Sequence, residues 1–175
     1  PFSEELQRSS STSQIATIFS SFTPCTAAPP RPPAPMMATL RRLLGEGVPG
    51  GRHFGSRLAE GADGTVFLTT GDRGTGPQGM QAQDPMRPEG KVIRLNRDGS
   101  PAATLPGHAP GVFSIGHRNA QGMATDAQGN LWLVEHGAQG GDELNLIEGG
   151  RNYGWPIISY GQDYGGGRIG EGTAR

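Results

Sequence analysis

From about Gly50 onward, the apolar residues of this chain fall in runs of four or five, each closed by a polar break that carries glycine. Val66–Thr70 (VFLTT), Val92–Leu95 (VIRL), Val112–Ile115 (VFSI), Leu131–Val134 (LWLV) and Leu144–Ile147 (LNLI) are too short for helices and rich in β-formers, so each predicts a strand. Between them, Ala62-Asp63-Gly64, Arg97-Asp98-Gly99 and Ala127-Gln128-Gly129 place glycine where a tight hairpin needs positive φ.

The pattern also repeats. LAEGADGTVFLTTGD from Leu58 aligns without gaps on MATDAQGNLWLVEHG from Met123, a shift of 65. Ala59 matches Ala124, Ala62 matches Ala127, Gly64 matches Gly129 and Leu68 matches Leu133, with the conservative pairs Leu58/Met123, Val66/Leu131 and Phe67/Trp132. A hairpin used twice with one inward pattern suggests β-propeller blades. The period exceeds the roughly 40–50 residues of compact blades, so an inserted loop is expected, and Thr75–Pro88 is its place. The second strand of each copy ends in polar residues, Thr70-Gly71-Asp72 and Glu135-His136-Gly137. In a propeller such ends gather at one mouth of the channel; in isolation they only cap hairpins, and the pattern leaves both readings open.

Composition narrows the class. The 30 glycines stand against about 12 at average usage, and 33% hydrophobic residues argue against a helical protein, so the fold class is all-β. A formal charge of -1 with scattered Lys and Arg excludes a nucleic-acid surface. No apolar run approaches the roughly 18 residues of a membrane span, and PFSEELQRSS has no signal-peptide pattern. Cys25, a lone cysteine, offers neither an internal disulfide nor a zinc pair. Residues 1–49 form a separate, low-complexity or non-native segment, for instance one translated in a shifted frame. In it Pro29–Pro35 predicts an extended stretch and MMATLRRLLGEG a helix-compatible one, with no core of its own. Residues 50–175 form the folded part. A start on Pro1 and a stop after a Gly-rich run read as a piece of a longer chain.

Candidate chemistry concentrates in Gly116–Pro156, where a histidine, an arginine, an asparagine, acids and glycines surround two apolar runs. Arg118 and Asn119 supply donors suited to a carboxylated or carbonyl-bearing ligand, or else satisfy turn carbonyls. Glu143 is either an oxygen ligand for a hard cation or half of a surface ion pair. Asp72 either stabilises its own turn or orients a neighbouring group. His53 by itself is an ordinary loop histidine.

Taken in order, GRHFGSRL, TTGDRG, AQDP with GKVIRLNRDGS, GHRNAQGMA, EHGAQGGDELNLIEGGRNYGWP and YGQDYGG resemble the soluble quinoprotein aldose sugar dehydrogenases, the glucose/sorbosone dehydrogenase family, over about Gly50 to Arg175. The resemblance implies a six-bladed β-propeller, of which this chain holds the middle blades. It also implies pyrroloquinoline quinone and calcium as cofactors, an aldose oxidised at its anomeric carbon to a lactone, an external electron acceptor, and a periplasmic or secreted location. By the same resemblance His53 is the catalytic base and Arg118 and Asn119 bind the quinone. Gly137 and Ala138, the latter a proline in some relatives, lay backbone against the cofactor and its calcium, and Tyr164 lies near the cofactor, stacking or packing. Glu143 and the main chain of Tyr153 ligate calcium, with Asp142 a further option, while Asp72 and Gln121 border the substrate. Two other classes stay open: a non-catalytic propeller binding module, and a metal-only lactonase or hydrolase. The fragment alone is expected to show little or no activity, because basic cofactor-binding residues of later blades are absent from it.

Overall fold

The computed structural model describes residues 34–44, 51–74, 77–102 and 104–172. Cys25 and the proline-rich stretch up to Pro33 lie outside them, as does most of the segment 1–49. The described elements are one helix, α1 (Ala34–Leu44), seven strands, and a 3-10 helix (Pro77–Gln83) within the expected inserted loop. The strands are β1 (Leu58–Glu60), β2 (Val66–Thr70), β3 (Lys91–Leu95), β4 (Val112–Ile115), β5 (Ala120–Thr125), β6 (Leu131–Glu135) and β7 (Glu143–Ile147).

They form two antiparallel meanders, β1-β2-β3-β4 and β5-β6-β7. The repeat seen in the sequence is repeated in register: Leu58 pairs Leu68 and Ala59 pairs Phe67 in the first sheet, while Met123 pairs Leu133 and Ala124 pairs Trp132 in the second. The turns match atom for atom as well. Gly61 N–H donates to Thr65 O (2.8 Å) and Gly64 N–H to Gly61 O (2.9 Å), and 65 residues on Asp126 N–H donates to Asn130 O (2.9 Å) and Gly129 N–H to Asp126 O (3.0 Å). Gly64 and Gly129 hold φ of 79° and 84°, a region that costs a side chain dearly. Two copies of one blade motif, with β1 beside β5 and Thr125 Oγ1 donating to Glu60 O (3.2 Å), make this part of a β-propeller.

Alternation along β2 explains why all five of its residues are buried. Val66 and Leu68 face one way, where Leu58, Ile93 and Leu95 meet Met36, Leu40 and Leu43 of α1. Phe67 faces the other, where Ala59 and Val92 meet Ala120, Leu131, Leu133 and Ile147 of the second sheet, with Phe67 and Phe113 packed edge to face at 5.1 Å. The first sheet is therefore a middle layer. The spacing Met36, Leu40, Leu43 is a helical stripe, so this end of the N-terminal segment takes its apolar partners from the blade. Pro35 enters the helix instead of extending the proline stretch, since it stands in the first turn, where a missing N–H breaks no helical bond. The far face of the second sheet leaves Val134, Leu144 and Leu146 exposed, an apolar face of the kind a neighbouring blade covers. Among the described residues no helix is long and apolar enough to cross a membrane.

Candidate functional site

The polar residues collect where the loop before β1, the end of β2 and the β4–β5 loop converge. His53 adopts a left-handed backbone (φ 58°), and its carbonyl lies so close to Gly71 that a Cβ there would overlap it. A non-glycine residue in that region stores about 1–3 kcal/mol of strain, which the surrounding contacts hold in place. Arg73 is among them, donating from its guanidinium to His53 O at 3.2 Å while standing over the Phe54 ring.

The His53 ring is 11% exposed, and its Nδ1 lies 2.5 Å from Oδ1 of Asp72, itself 1% exposed. With Nδ1–H facing the carboxylate, Nε2 carries the lone pair. Asp72 is held at every polar atom. Oδ1 also accepts from Gly74 N (2.8 Å), Oδ2 accepts from Trp155 Nε1 (2.7 Å), the main-chain N–H donates to Arg118 O (2.8 Å), and the carbonyl accepts from Gln81 Nε2. Asp72 thus both accepts from its own turn and contacts the His53 ring. Gln81 arrives on the 3-10 helix, which Lys91 ties down: its buried ammonium donates to the carbonyls of Gln81 (3.1 Å), Ala82 (2.9 Å) and Glu89 (2.6 Å).

Arg118 joins the two sheets. Its own carbonyl serves Asp72, while its guanidinium donates to His136 O (3.0 Å) and Gly137 O (2.7 Å), approaches Tyr164 Oη (3.4 Å), and lies 5.0 Å over the Trp155 ring. Among the described residues no carboxylate pairs with this buried cation, and its Nε has no hydrogen-bond partner. An unneutralised buried guanidinium suits an anionic or carbonyl-bearing ligand. Next to it Asn119 Oδ1 accepts from Gly55 N (3.1 Å), and Gln121 reaches the same glycine, where a Cβ would stand 2.8 Å from its Nε2.

Behind Arg118 lies a buried network that the sequence reading did not assign. Glu135 Oε1 meets His117 Nδ1 at 2.6 Å and Asn145 Nδ2 at 3.2 Å, and its Oε2 accepts the Arg118 main-chain N–H at 2.9 Å. His117 Nε2 meets Ser114 Oγ at 2.8 Å, and its ring stacks on Tyr153 at 4.8 Å. Burial opposes ionisation of Glu135, but His117 and the N–H donors outweigh it and hold the carboxyl below its ordinary range. Glu143, sharing Asn145 at 3.1 Å, is pushed the other way by burial and by the Glu135 charge.

The structure thus brings His53, Asp72, Arg118, Asn119, Gln121, Gly137 and Tyr164 to one corner, with Tyr164 67% exposed at its edge. Glu143 and Tyr153 belong to the neighbouring network. The Tyr153 hydroxyl is engaged by Leu146 O (2.6 Å) and Glu148 N (2.8 Å). Asp142 is exposed and accepts from Gly137 N (2.8 Å), and the carbonyl of buried Ala138 accepts from Gln162 N (2.8 Å). Trp155, Gln81, His117 and the role of Glu135 were missed. The available signals were the indole in NYGWP and the alignment of Glu135 on Thr70, the last residue of β2. A cavity of about 520 Å³ lies at the opposite, turn-bearing ends of β1 and β5, lined by Leu58, Ala59, Met123 and Ala124; no part of the polar cluster reaches it.

The match to known proteins covers most of the chain. A family model described as Glucose / Sorbosone dehydrogenase matches residues 39–175, beginning ahead of Gly50. Aldose sugar dehydrogenase YliI of Escherichia coli (strain K12) is 40% identical over 127 residues, covering 69% of this chain and 33% of that protein. Quinoprotein glucose dehydrogenase B of Acinetobacter calcoaceticus is 35% identical over 133 residues, covering 65% and 28%. The PQQ-bound form of aldose sugar dehydrogenase from Streptomyces coelicolor superposes with a TM-score of 0.56 at 39% identity, covering 73% of this chain and 36% of that one. The chain spans about a third of the length of the curated relatives it matches. Since most of the chain, both meanders and the Arg118 corner included, falls within the match, this protein belongs to the glucose/sorbosone dehydrogenase family.

Proposed function

We propose that the intact protein oxidises the C1 hydroxyl of an aldose to a lactone, using pyrroloquinoline quinone. The observation that carries this reading is a His53–Asp72 pair beside a buried guanidinium that no described carboxylate neutralises. The orphaned Nε and the Arg118 and Asn119 side chains fit a ligand rich in carboxylate and carbonyl oxygens. When bound, the quinone supplies the acceptor for the hydride that leaves C1.

The chain's own residues do the rest. His53 Nε2 takes the proton from the C1 hydroxyl oxygen while the hydride leaves C1, so that the C1–O bond becomes the lactone carbonyl. Asp72, locked by Trp155, Gly74 and the Arg118 carbonyl, keeps the imidazole in one orientation and stabilises the charge it gains. Arg118 offers fixed positive charge to oxygen that becomes more negative during the transfer. Calcium belongs to the same proposal, with the Glu143 carboxylate and main-chain oxygens of Tyr153, Gly137 and Ala138 as ligands. A hard cation takes about six to eight oxygens. Among the described residues no group of three His, Cys, Asp or Glu stands ready, so the donors here do not by themselves make that site and no step runs through the metal. An external electron acceptor and a periplasmic or secreted location complete the reading.

The test is dye reduction by the intact protein supplied with the quinone, calcium and an aldose. His53→Ala is expected to keep quinone binding and to lower kcat by about 10²–10⁴-fold, the usual worth of a general base. Parental turnover by that variant refutes the base. Quinone binding without turnover by the parent marks a binding module, and calcium-dependent hydrolysis without the quinone marks a hydrolase.

A further inference from the structure

One side chain touches both halves of the proposed site. The Trp155 indole N–H donates to Asp72 Oδ2 at 2.7 Å, while Asp72 Oδ1 faces His53 Nδ1, and the same indole carries the Arg118 guanidinium 5.0 Å above its ring. Eighty-three residues separate Trp155 from Asp72 in sequence, so the contact depends on how the chain passes the corner after β7. That passage is fixed. Trp155 N–H donates to Gly116 O at 3.0 Å, in the loop that presents Arg118, and Trp155 O accepts from Gln83 Nε2 at 2.5 Å, at the end of the 3-10 helix.

The space around the bond is also shaped for it. Gly79, at φ 81°, sits where a Cβ would crowd both Asp72 Oδ2 and Trp155 Nε1. A glycine there lets the indole and the carboxylate meet.

We infer that Trp155 is a positioning residue with two separable tasks: its N–H fixes the carboxylate that aligns His53, and its ring face fixes the guanidinium. The inference rests on the reading of His53 as base. Without the N–H, Asp72 keeps the Gly74 donor on Oδ1 but loses the only described side-chain hold on Oδ2, and the carboxylate gains a rotation that carries the imidazole with it. Misalignment of a reacting group by about 1 Å can cost on the order of 100-fold in rate. Without the ring, the guanidinium loses the surface that keeps it facing its ligand.

The experiment uses the full-length protein and three variants, each read for melting temperature, quinone affinity by absorbance titration of the apoprotein, and steady-state kcat and KM. Trp155→Phe keeps a ring and deletes the donor. It should bind quinone within about threefold of the parent, hold KM, and lose about tenfold or more in kcat. Trp155→Leu deletes both and should also weaken quinone binding by about tenfold. Gly79→Ala deletes no functional group but pushes the Asp72 carboxylate and the indole N–H apart, and should lower kcat while sparing quinone affinity. It also serves if neither Trp155 variant folds. A Trp155→Phe protein with parental kcat overturns the inference, as does one whose quinone affinity, KM and melting temperature fall in step with kcat, the mark of a merely structural indole. His53→Ala, run in parallel, separates the two failures. If it turns over normally, the base reading falls and this inference with it; if it is inactive while Trp155→Phe is normal, only the coupling falls.

Discussion

Replacing Glu135 with alanine removes an acceptor shared by three donors at the seam between the sheets. Glu135 is 3% exposed, and its oxygens meet His117 Nδ1, Arg118 N and Asn145 Nδ2 at 2.6, 2.9 and 3.2 Å. Asn145 keeps its bond to Glu143, so two buried donors are orphaned, at about 1–3 kcal/mol each. Breaking a buried pair by removing one partner typically costs about 3–5 kcal/mol, and the two estimates describe the same loss, so about 4 kcal/mol is the expected total. Glu135→Gln keeps one oxygen but turns an amide donor toward another, which places it near half that cost. The assay is urea unfolding of the intact protein, comparing midpoints at constant slope. The pH dependence has a definite sign. The folded carboxyl lies below its ordinary 4.5, so its contribution is fully present above that value and is lost as pH falls through the folded pKa. The parent's advantage over Glu135→Gln should therefore hold at neutral pH and shrink in acid. A loss under about 1 kcal/mol for Glu135→Ala, the size of an ordinary surface change, would refute the network as a seam.

Two further outcomes follow from the same geometry. Burial lowers the Lys91 ammonium from 10.5 to about 8, so between those values the folded chain holds fewer protons than the unfolded one, and the stability of the parent relative to Lys91→Met should rise by about 3 kcal/mol from about pH 7 to about pH 11. Parallel urea midpoints for the two proteins across that range would contradict the burial of a charged lysine. Gly71→Ala would drive a methyl group into the His53 main-chain carbonyl, at a typical overpacking cost of about 1–3 kcal/mol. Its melting temperature should drop and its dye-reduction rate should fall far more than stability alone explains; an unchanged rate would mean that the His53 loop tolerates displacement.

Much of the fold was readable because its period is local. Short runs of β-formers marked the strands, and the 65-residue shift anticipated two hairpins whose registers coincide. The strand ends were harder. β3, β6 and β7 each run one residue past the apolar run, onto Lys91, Glu135 or Glu143, because a charged side chain with hydrogen-bond partners can occupy a strand end that hydrophobicity alone would close. The stripe in MMATLRRLLGEG indicated a helix but not that the blade would receive it. At the site, HFGSR and GHRN were visible through the family resemblance, and an orienting role for Asp72 was one of two open readings, with its partner unnamed. Trp155 and Gln81 were not visible, since their contacts depend on the three-dimensional paths of loops and leave no periodic trace.

Arg118 is held by both meanders at once, its carbonyl engaged by the first and its guanidinium by the second. Neither wall of the corner can then be altered independently. Grafting a relative's loop onto one sheet would tilt the cation that the other sheet is gripping, so a redesigned wall must come with matched substitutions on both sides of that arginine.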